Sequence, residues 1–215
     1  MSGLAVFDLD GTLHHTEKAL LPAIRMTLEE LGVTDISDRR INSLYGEPLE
    51  VFATELLGGR GTDVQAFREG IRRHQRETLP TCGELYPGVP EVLSNAVTSG
   101  LSLAILSNAG VDYIELVTST LSIRKHFTYL RGRDGAEPSK TARLLGLMEI
   151  SGCPLTVMCG DRYHDVRAAK DLGVPSIGCA YGYGTPRETA SADYIIHTAG
   201  EISEILEELF TEHGT

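Results

Sequence analysis

Two carboxylates one residue apart, then a glycine and a hydroxyl, stand almost at the start of the chain in Asp8-Leu9-Asp10-Gly11-Thr12-Leu13. The apolar run Leu4-Ala5-Val6-Phe7 before them reads as a buried strand, and Gly11 permits a sharp turn after it. A carboxylate can act as a nucleophile. A small acidic loop also suits Mg²⁺, a hard cation held by one or two carboxylates together with waters and phosphate oxygens. The same letters describe an ordinary strand end with an Asp-Gly turn, so partners elsewhere in the chain decide between the two.

Such partners follow in order. Leu101-Ser102-Leu103-Ala104-Ile105-Leu106 is a second strand-like run and ends in Ser107-Asn108-Ala109-Gly110. A third, Leu155-Thr156-Val157-Met158-Cys159, ends in Gly160-Asp161, with Asp165 four residues on. Between them Lys140, in Glu137-Pro138-Ser139-Lys140-Thr141, opens a helical stretch. In open parallel α/β sheets, ligands bind where the loops at the carboxyl ends of strands converge. Three strand ends bearing acids, a serine and acids again, with one lysine between, are a set that such a sheet would gather into one pocket.

In this order the motifs resemble those of the haloacid dehalogenase-like hydrolase superfamily, and within it the phosphoglycolate phosphatase-like branch. Asp8-Leu9-Asp10-Gly11-Thr12 matches the first motif, Ser107-Asn108 the second and Lys140 the third. Gly160-Asp161-Arg162-Tyr163-His164-Asp165, with Ala168-Ala169 and Leu172-Gly173, matches the fourth, and Ile177-Gly178 and Gly182-Tyr183-Gly184 also look like the branch. The resemblance implies an α/β fold: a Rossmann-like parallel-sheet core with an inserted α-helical cap of the C1 type. It also implies a Mg²⁺-dependent phosphatase acting on a small phosphorylated metabolite, phosphoglycolate first among them.

The roles implied for these residues are specific. Asp8 would be the nucleophile, forming an aspartyl-phosphate, and Asp10 the acid that protonates the leaving alcohol and then the base that activates water. Mg²⁺ would sit on the Asp8 side chain, the Asp10 backbone carbonyl and the Asp161 side chain. Ser107 would donate its hydroxyl to a phosphoryl oxygen, helped by Asn108 and the backbone of Gly11 and Thr12. Lys140 would stabilise the phosphoryl charge, with Lys125 as second choice because Ser139-Lys140 departs from the commonest lysine-proline form. Asp165 would orient waters or Lys140; an acid favoured by a helix N-terminus is the competing account. Tyr45-Gly46-Glu47-Pro48 resembles the substrate-specificity loop of such caps, with Gly46 as its contact, and also reads as a helix start with Pro48 at the first helical position. Arg25, Arg39 and Arg40 could clamp a substrate carboxylate or second phosphate. His15 stands where many relatives carry an acid, and His14 and His15 read as solvated loop residues. Arg162, Tyr163 and His164 replace smaller polar residues and read as exposed residues at a helix start, bulky enough to shape a pocket mouth.

These residues need elements to position them. Leu20, Ile24, Leu28 and Leu31 share one face of a helix closed by Gly32. Further helices are expected over 37–45 and 48–57, then a break at Gly58-Gly59-Arg60-Gly61 and a long polar helix from an N-cap at Thr62 to about Glu77. Pro80, Pro87 and Pro90 mark the return, and Val89 to Ser99 reads as the first core helix. The cap is therefore expected over 16–82, and the core over 1–15 and 83–215. Beyond Gly100 strands are expected at 101–107, 127–131, 155–159, 175–179 and 194–196, separated by helices at 111–121, 139–147 and 164–172, with a last helix over 202–210. That alternation, with strongly apolar strands, means a parallel sheet covered on both faces.

Composition bounds the alternatives. A net charge of −11 over 215 residues argues against a nucleic-acid partner, which needs clustered Lys and Arg. It leaves an anionic small molecule open, since a bound divalent cation reverses the local field. No apolar run approaches the ~20 residues of a membrane span, and no basic-then-apolar leader precedes the first strand, so the expectation is a cytoplasmic protein without a membrane partner. Cys82, Cys153, Cys159 and Cys179 show no metal spacing, and Cys159 and Cys179 fall in apolar strands as reduced thiols. Oligomeric state has no signature in the chain. The other activities compatible with these motifs are a phosphosugar mutase, a pyrophosphatase and a non-catalytic binding protein; a dehalogenase is disfavoured because it needs no acid at Asp10.

Overall fold

The computed structural model of the protein describes residues 3–58, 63–133 and 139–212. Its strands are β1 (Gly3–Phe7), β2 (Ser102–Leu106), β3 (Tyr129–Arg131), β4 (Leu155–Gly160), β5 (Ser176–Cys179) and β6 (Tyr194–Ile196). They form one parallel six-stranded sheet in the order β3-β2-β1-β4-β5-β6. The helices are α1 (Thr16–Glu30), α2 (Asp38–Asn42), α3 (Leu49–Leu57), α4 (Val64–Cys82), α5 (Val89–Thr98), α6 (Val111–Thr120), α7 (Lys140–Ser151), α8 (Tyr163–Leu172), α9 (Pro186–Thr189) and α10 (Ile202–Glu212). None is long and apolar enough to cross a membrane.

The unbroken apolar character of β1 follows from its place at the centre of the sheet. Ala5 and Phe7 join a cluster with residues of α5, α6 and α10, whereas Leu4 and Val6 join one with residues of α7 and α8. Successive side chains point to opposite faces, so a strand covered on both sides must be apolar at every position. The chain builds outward from β1 on one side through β2 and β3, then crosses to β4 on the other. At that reversal the chain leaves β1 and β4 toward opposite ends of the sheet order, and a crevice lies at the carboxyl ends of the strands.

A third apolar cluster lies among α1 to α4, with Ile24, Leu28, Ile41, Phe52, Phe67 and Ile71 all buried. The two segments that join this bundle to the sheet run side by side. His15 N–H donates to Glu84 O at 2.9 Å, and Tyr86 N–H donates to Leu13 O at 3.0 Å. Thr78 of α4 donates its hydroxyl to Ala19 O of α1 at 2.7 Å, tying the bases of the two longest helices together.

Several local expectations change. The helix expected over 37–45 is the shorter α2, capped by the Ser37 side chain, because Ser43 to Gly46 turn instead. Pro48 is the residue before α3 rather than its first helical position. Asp63, accepting from Gln65 N–H at 2.8 Å, caps α4; the expected Thr62 cap, the break at Gly59-Arg60-Gly61 and the residues Glu137-Pro138 lie outside the described residues. Pro80 sits inside α4, which continues to Cys82. A proline so near a helix end removes a single hydrogen bond, while Thr78 and Leu79 are buried beside it. The four-residue α9 is too short to show a periodicity.

Leu103 of β2 is fully buried in the larger face cluster. Leu103→Ala should lower the stability to urea by about 2–5 kcal/mol; an unchanged unfolding midpoint would contradict this account of the core.

Candidate active site

The crevice collects every strand-end motif. Asp8 follows β1 directly and donates its N–H to Cys159 O of β4 at 2.8 Å, so the nucleophile candidate is pinned to the neighbouring strand. Asp161 follows β4, Ser107 follows β2, and Lys140 is the first residue of α7, whose N-cap is Ser139. Gly11 has φ +76°, and a Cβ there would meet Asp161 Oδ2 at 2.4 Å. Only glycine lets the first loop press this closely on the second.

Lys140 is buried, and its Nζ lies 3.2 Å from Asp8 Oδ1 and 2.5 Å from Asp165 Oδ1. Both contacts are ion pairs between buried side chains. Asp165 also accepts the Arg162 N–H at 3.0 Å, so it both caps α8 and pairs with Lys140. Lys125, by contrast, is exposed in a 3₁₀ turn. Asp161 Oδ2 accepts the Tyr183 N–H at 2.7 Å and the Gly184 N–H at 3.3 Å, while Oδ1 accepts the Thr12 hydroxyl at 3.3 Å.

Ligand oxygens of Asp8, Asp161 and Asp165 all lie within 4.8 Å of one another, and all three residues are buried. Burial pushes the Asp8 carboxyl up to about 6, against the pull of Lys140 and with the push of Asp165. Asp161 is held well above the usual carboxylate range by burial, then by Asp8 and Asp165. Burial works against the Lys140 charge, yet Asp165 and Asp8 outweigh it and hold its pKa above the ordinary lysine value. Three carboxylates around one ammonium lack two positive charges, and the donors present are hard oxygens. The donor set and its charge fit a divalent cation of the Mg²⁺ kind.

Asp10 is built differently. Its Oδ1 accepts two hydroxyl donors, Thr16 at 2.7 Å and Tyr113 at 2.9 Å. Burial raises its pKa, opposed by His14 and the Thr16 hydrogen bond. The Tyr113 hydroxyl also lies 3.4 Å from His14 Nε2, and His14 Nδ1 faces Glu84 O at 3.3 Å. A carbonyl only accepts, so Nδ1 carries the proton; burial lowers the His14 pKa and favours the neutral ring. His14 is thus a fully buried neighbour of Asp10, not a solvated loop residue. The short bridges that pair it with Asp10 and Leu85 draw it inward. His15 is half-buried against the Tyr86 ring.

The second strand end is locked by an arginine that spacing did not single out. Arg143 of α7 donates to Ser107 O at 2.5 Å, to Gly132 O at 3.0 Å and to Asn108 Oδ1 at 2.8 Å. The other end of the Asn108 amide donates to Gly46 O at 3.1 Å, so Asn108 reaches the helical bundle's loop. Ser107 Oγ accepts the Ala109 N–H at 3.1 Å, which leaves its own proton available. Arg162 grips the same loop. It donates to Tyr45 O and to Glu47 Oε1 (2.9 Å), and its Nε donates to Glu188 Oε1 at 2.9 Å. His164 Nε2 lies 3.4 Å from Glu47 Oε2. Arg162 is therefore buried rather than exposed at a helix start. Tyr163 is exposed, as expected.

A cavity of about 560 Å³ opens beside these groups, lined by Asp10, Ser107 and Asn108 of the sheet side and by Gly46 and Glu47 of the helical bundle. Arg25 pairs with Asp38 and Arg40 with Glu55; neither they nor Arg39 line it, so the expected clamp is not assembled from them. The arginines that do line it are Arg72 and Arg76 of α4. Cys159 and Cys179 are buried free thiols with Sγ atoms 3.5 Å apart, as their apolar strands implied.

Known proteins resemble this chain in sequence and in fold. A phosphoglycolate phosphatase of Agrobacterium fabrum is 28% identical, covering 100% of this chain and 96% of its own. A 5′-nucleotidase of Pseudomonas aeruginosa is 27% identical and covers 85% of each chain. The crystal structure of a predicted phosphoglycolate phosphatase from Haemophilus somnus superposes with a TM-score of 0.86 at 22% identity, covering 94% of this chain and 97% of that one. Residues 5–179 match the haloacid dehalogenase-like hydrolase family along both sides of the crevice. The chain belongs to that family, the haloacid dehalogenase-like hydrolases.

Proposed function

We propose that the protein is a Mg²⁺-dependent phosphomonoesterase that passes the phosphoryl group of a small, phosphoglycolate-like ester to Asp8 and then to water. The observation that carries this is the buried group of Asp8, Asp161, Asp165 and Lys140 at the reversal of strand order. Asp8, Asp161 and the Asp10 backbone carbonyl would hold the Mg²⁺. When bound, the ion offsets the repulsion between carboxylate and phosphate and orients the phosphoryl group for in-line attack.

The chain's own groups do the rest. An Asp8 carboxylate oxygen attacks phosphorus as the bond to the leaving alcohol oxygen breaks, and Asp10 gives that oxygen its proton. Water then attacks the acyl phosphate, Asp10 takes the water's proton, and phosphate leaves with Asp8 regenerated. Lys140 and the Ser107 hydroxyl receive the equatorial oxygens, assisted by the Gly11 and Thr12 backbone. Both donors on Asp10, Thr16 and Tyr113, fall on Oδ1, so Oδ2 is the oxygen that carries and delivers the proton. Residues 16–82 act as the cap. The Gly46 loop, held by Asn108 and Arg162, closes the pocket and excludes water from it.

Asp8→Asn should abolish phosphate release, and EDTA should silence the unaltered protein until Mg²⁺ is restored. Full turnover in either case would remove the nucleophile or the metal from the mechanism. Tyr113→Phe separates acid positioning from folding. It should slow release from alkyl phosphates about tenfold, mainly in kcat, and barely affect p-nitrophenyl phosphate, whose leaving group needs no proton. Equal losses on both esters would remove Tyr113 from the protonation of the leaving group.

A further inference from the structure

We propose, on the phosphatase reading above, that Arg72 and Arg76 form a second anion-binding subsite in the cavity wall, selecting esters whose leaving group bears a carboxylate or a second phosphate. The cavity's size points beyond a bare phosphate. About 560 Å³ falls within the ~300–1,000 Å³ typical of small-molecule pockets. Asp10, Ser107 and Asn108 supply the phosphoryl end, Leu20, Leu49 and Phe52 add an apolar stretch, and α4 contributes the arginines.

The pairing of charges on α4 singles these two out. Arg68 is matched by Glu50 at 3.3 Å and Arg73 by Glu30. Arg72 and Arg76, one helical turn apart and on one stripe of the helix, have no ion-pair or hydrogen-bond partner for their guanidinium groups among the described residues. The carboxylates around the cavity are accounted for differently. Glu47 is held by Arg162 at 2.9 Å, Glu115 by Arg124 at 2.9 Å, and Asp10 by its two hydroxyl donors. Asp112 is the remaining acid of the lining, so two unmatched guanidiniums face one unmatched carboxylate. In a chain of net charge −11, that local excess of positive charge is an exception. Guanidinium groups bind carboxylates and phosphates in the same bidentate way, so both tails belong to the subsite's chemistry.

The test compares four esters in Mg²⁺: phosphoglycolate, a hexose bisphosphate, the matching hexose monophosphate and p-nitrophenyl phosphate. The unaltered protein should prefer an ester with an anionic tail over those with neutral tails. In the double variant R72M/R76M the ratio of kcat/KM for the anionic-tail ester to that for the neutral one should fall at least about tenfold. The change should lie mainly in KM, with partial recovery in R72K/R76K. A fall confined to phosphoglycolate identifies a carboxylate tail, and one confined to the bisphosphate a second phosphate; both support the subsite. An unchanged ratio in R72M/R76M, or a preference of the unaltered protein for neutral tails, overturns it while leaving the phosphatase intact. Absence of Asp8-dependent release from all four esters overturns the phosphatase reading, and the subsite with it. Both arginines are exposed, so the variants should fold, and matching thermal midpoints would verify this.

Discussion

Burying three carboxylates beside a single ammonium is the constraint on which the rest of the molecule depends. Asp8, Asp161 and Asp165 would each be costly without partners in so apolar a setting, and Lys140 compensates only part of their charge. The fold meets this by directional means. Asp161 takes two backbone N–H groups from the Tyr183–Gly184 segment and a hydroxyl from Thr12, and Asp165 takes the N–H of Arg162, the residue that caps its own helix. What remains is a concentrated negative field with oxygen donors on several sides, which suits a divalent cation and, through it, a phosphate. Sheet topology makes the assembly possible, because only adjacent strand ends at the reversal bring loops from residues 8–12 and 160–165 into contact.

The helical bundle contributes a second layer of control. Gly46 has φ +84°, and a Cβ there would press on the Arg162 side chain at 3.0 Å, so glycine lets the loop sit directly on the arginine. Arg162 joins that loop to α9 through Glu188, and Asn108 joins it to the end of β2 through its amide. Asn108 is itself held by Arg143. Core and bundle thus share a polar seam around the mouth of the cavity, while the apolar cluster of the bundle stays separate from those of the sheet. On the proposed reading, the strand ends hold the phosphoryl end and the helices the leaving-group end. Relatives of nearly equal identity that carry the names phosphoglycolate phosphatase and 5′-nucleotidase fit this division of labour.

Much of this was legible in the chain, for a physical reason. Asp8, Ser107 and Asp161 each follow an apolar run that reads as a buried strand, so their convergence follows from parallel topology. Lys140 was legible as the start of a helix. Groups that work through long-range contact left no such trace. Tyr113 reaches Asp10 across 103 residues, and His14 is buried by a pairing with Leu85 that no local pattern announces. Arg143 lies on a helix where an arginine would ordinarily face solvent, yet it ties three groups at the end of β2. Arg72 and Arg76 looked like ordinary members of a polar helix. Only the packing of α4 places them in the cavity wall, where Arg25, Arg39 and Arg40 do not stand.

The most direct test of the central claim is to look for the covalent intermediate. The protein would be mixed with a phosphate ester and Mg²⁺, quenched in acid within the first turnover, digested and examined by mass spectrometry. The account predicts phosphate on the peptide spanning Asp8, absent without metal and absent from Asp8→Asn. Brisk turnover with no phosphorylated peptide, or phosphate found on another residue, would contradict it.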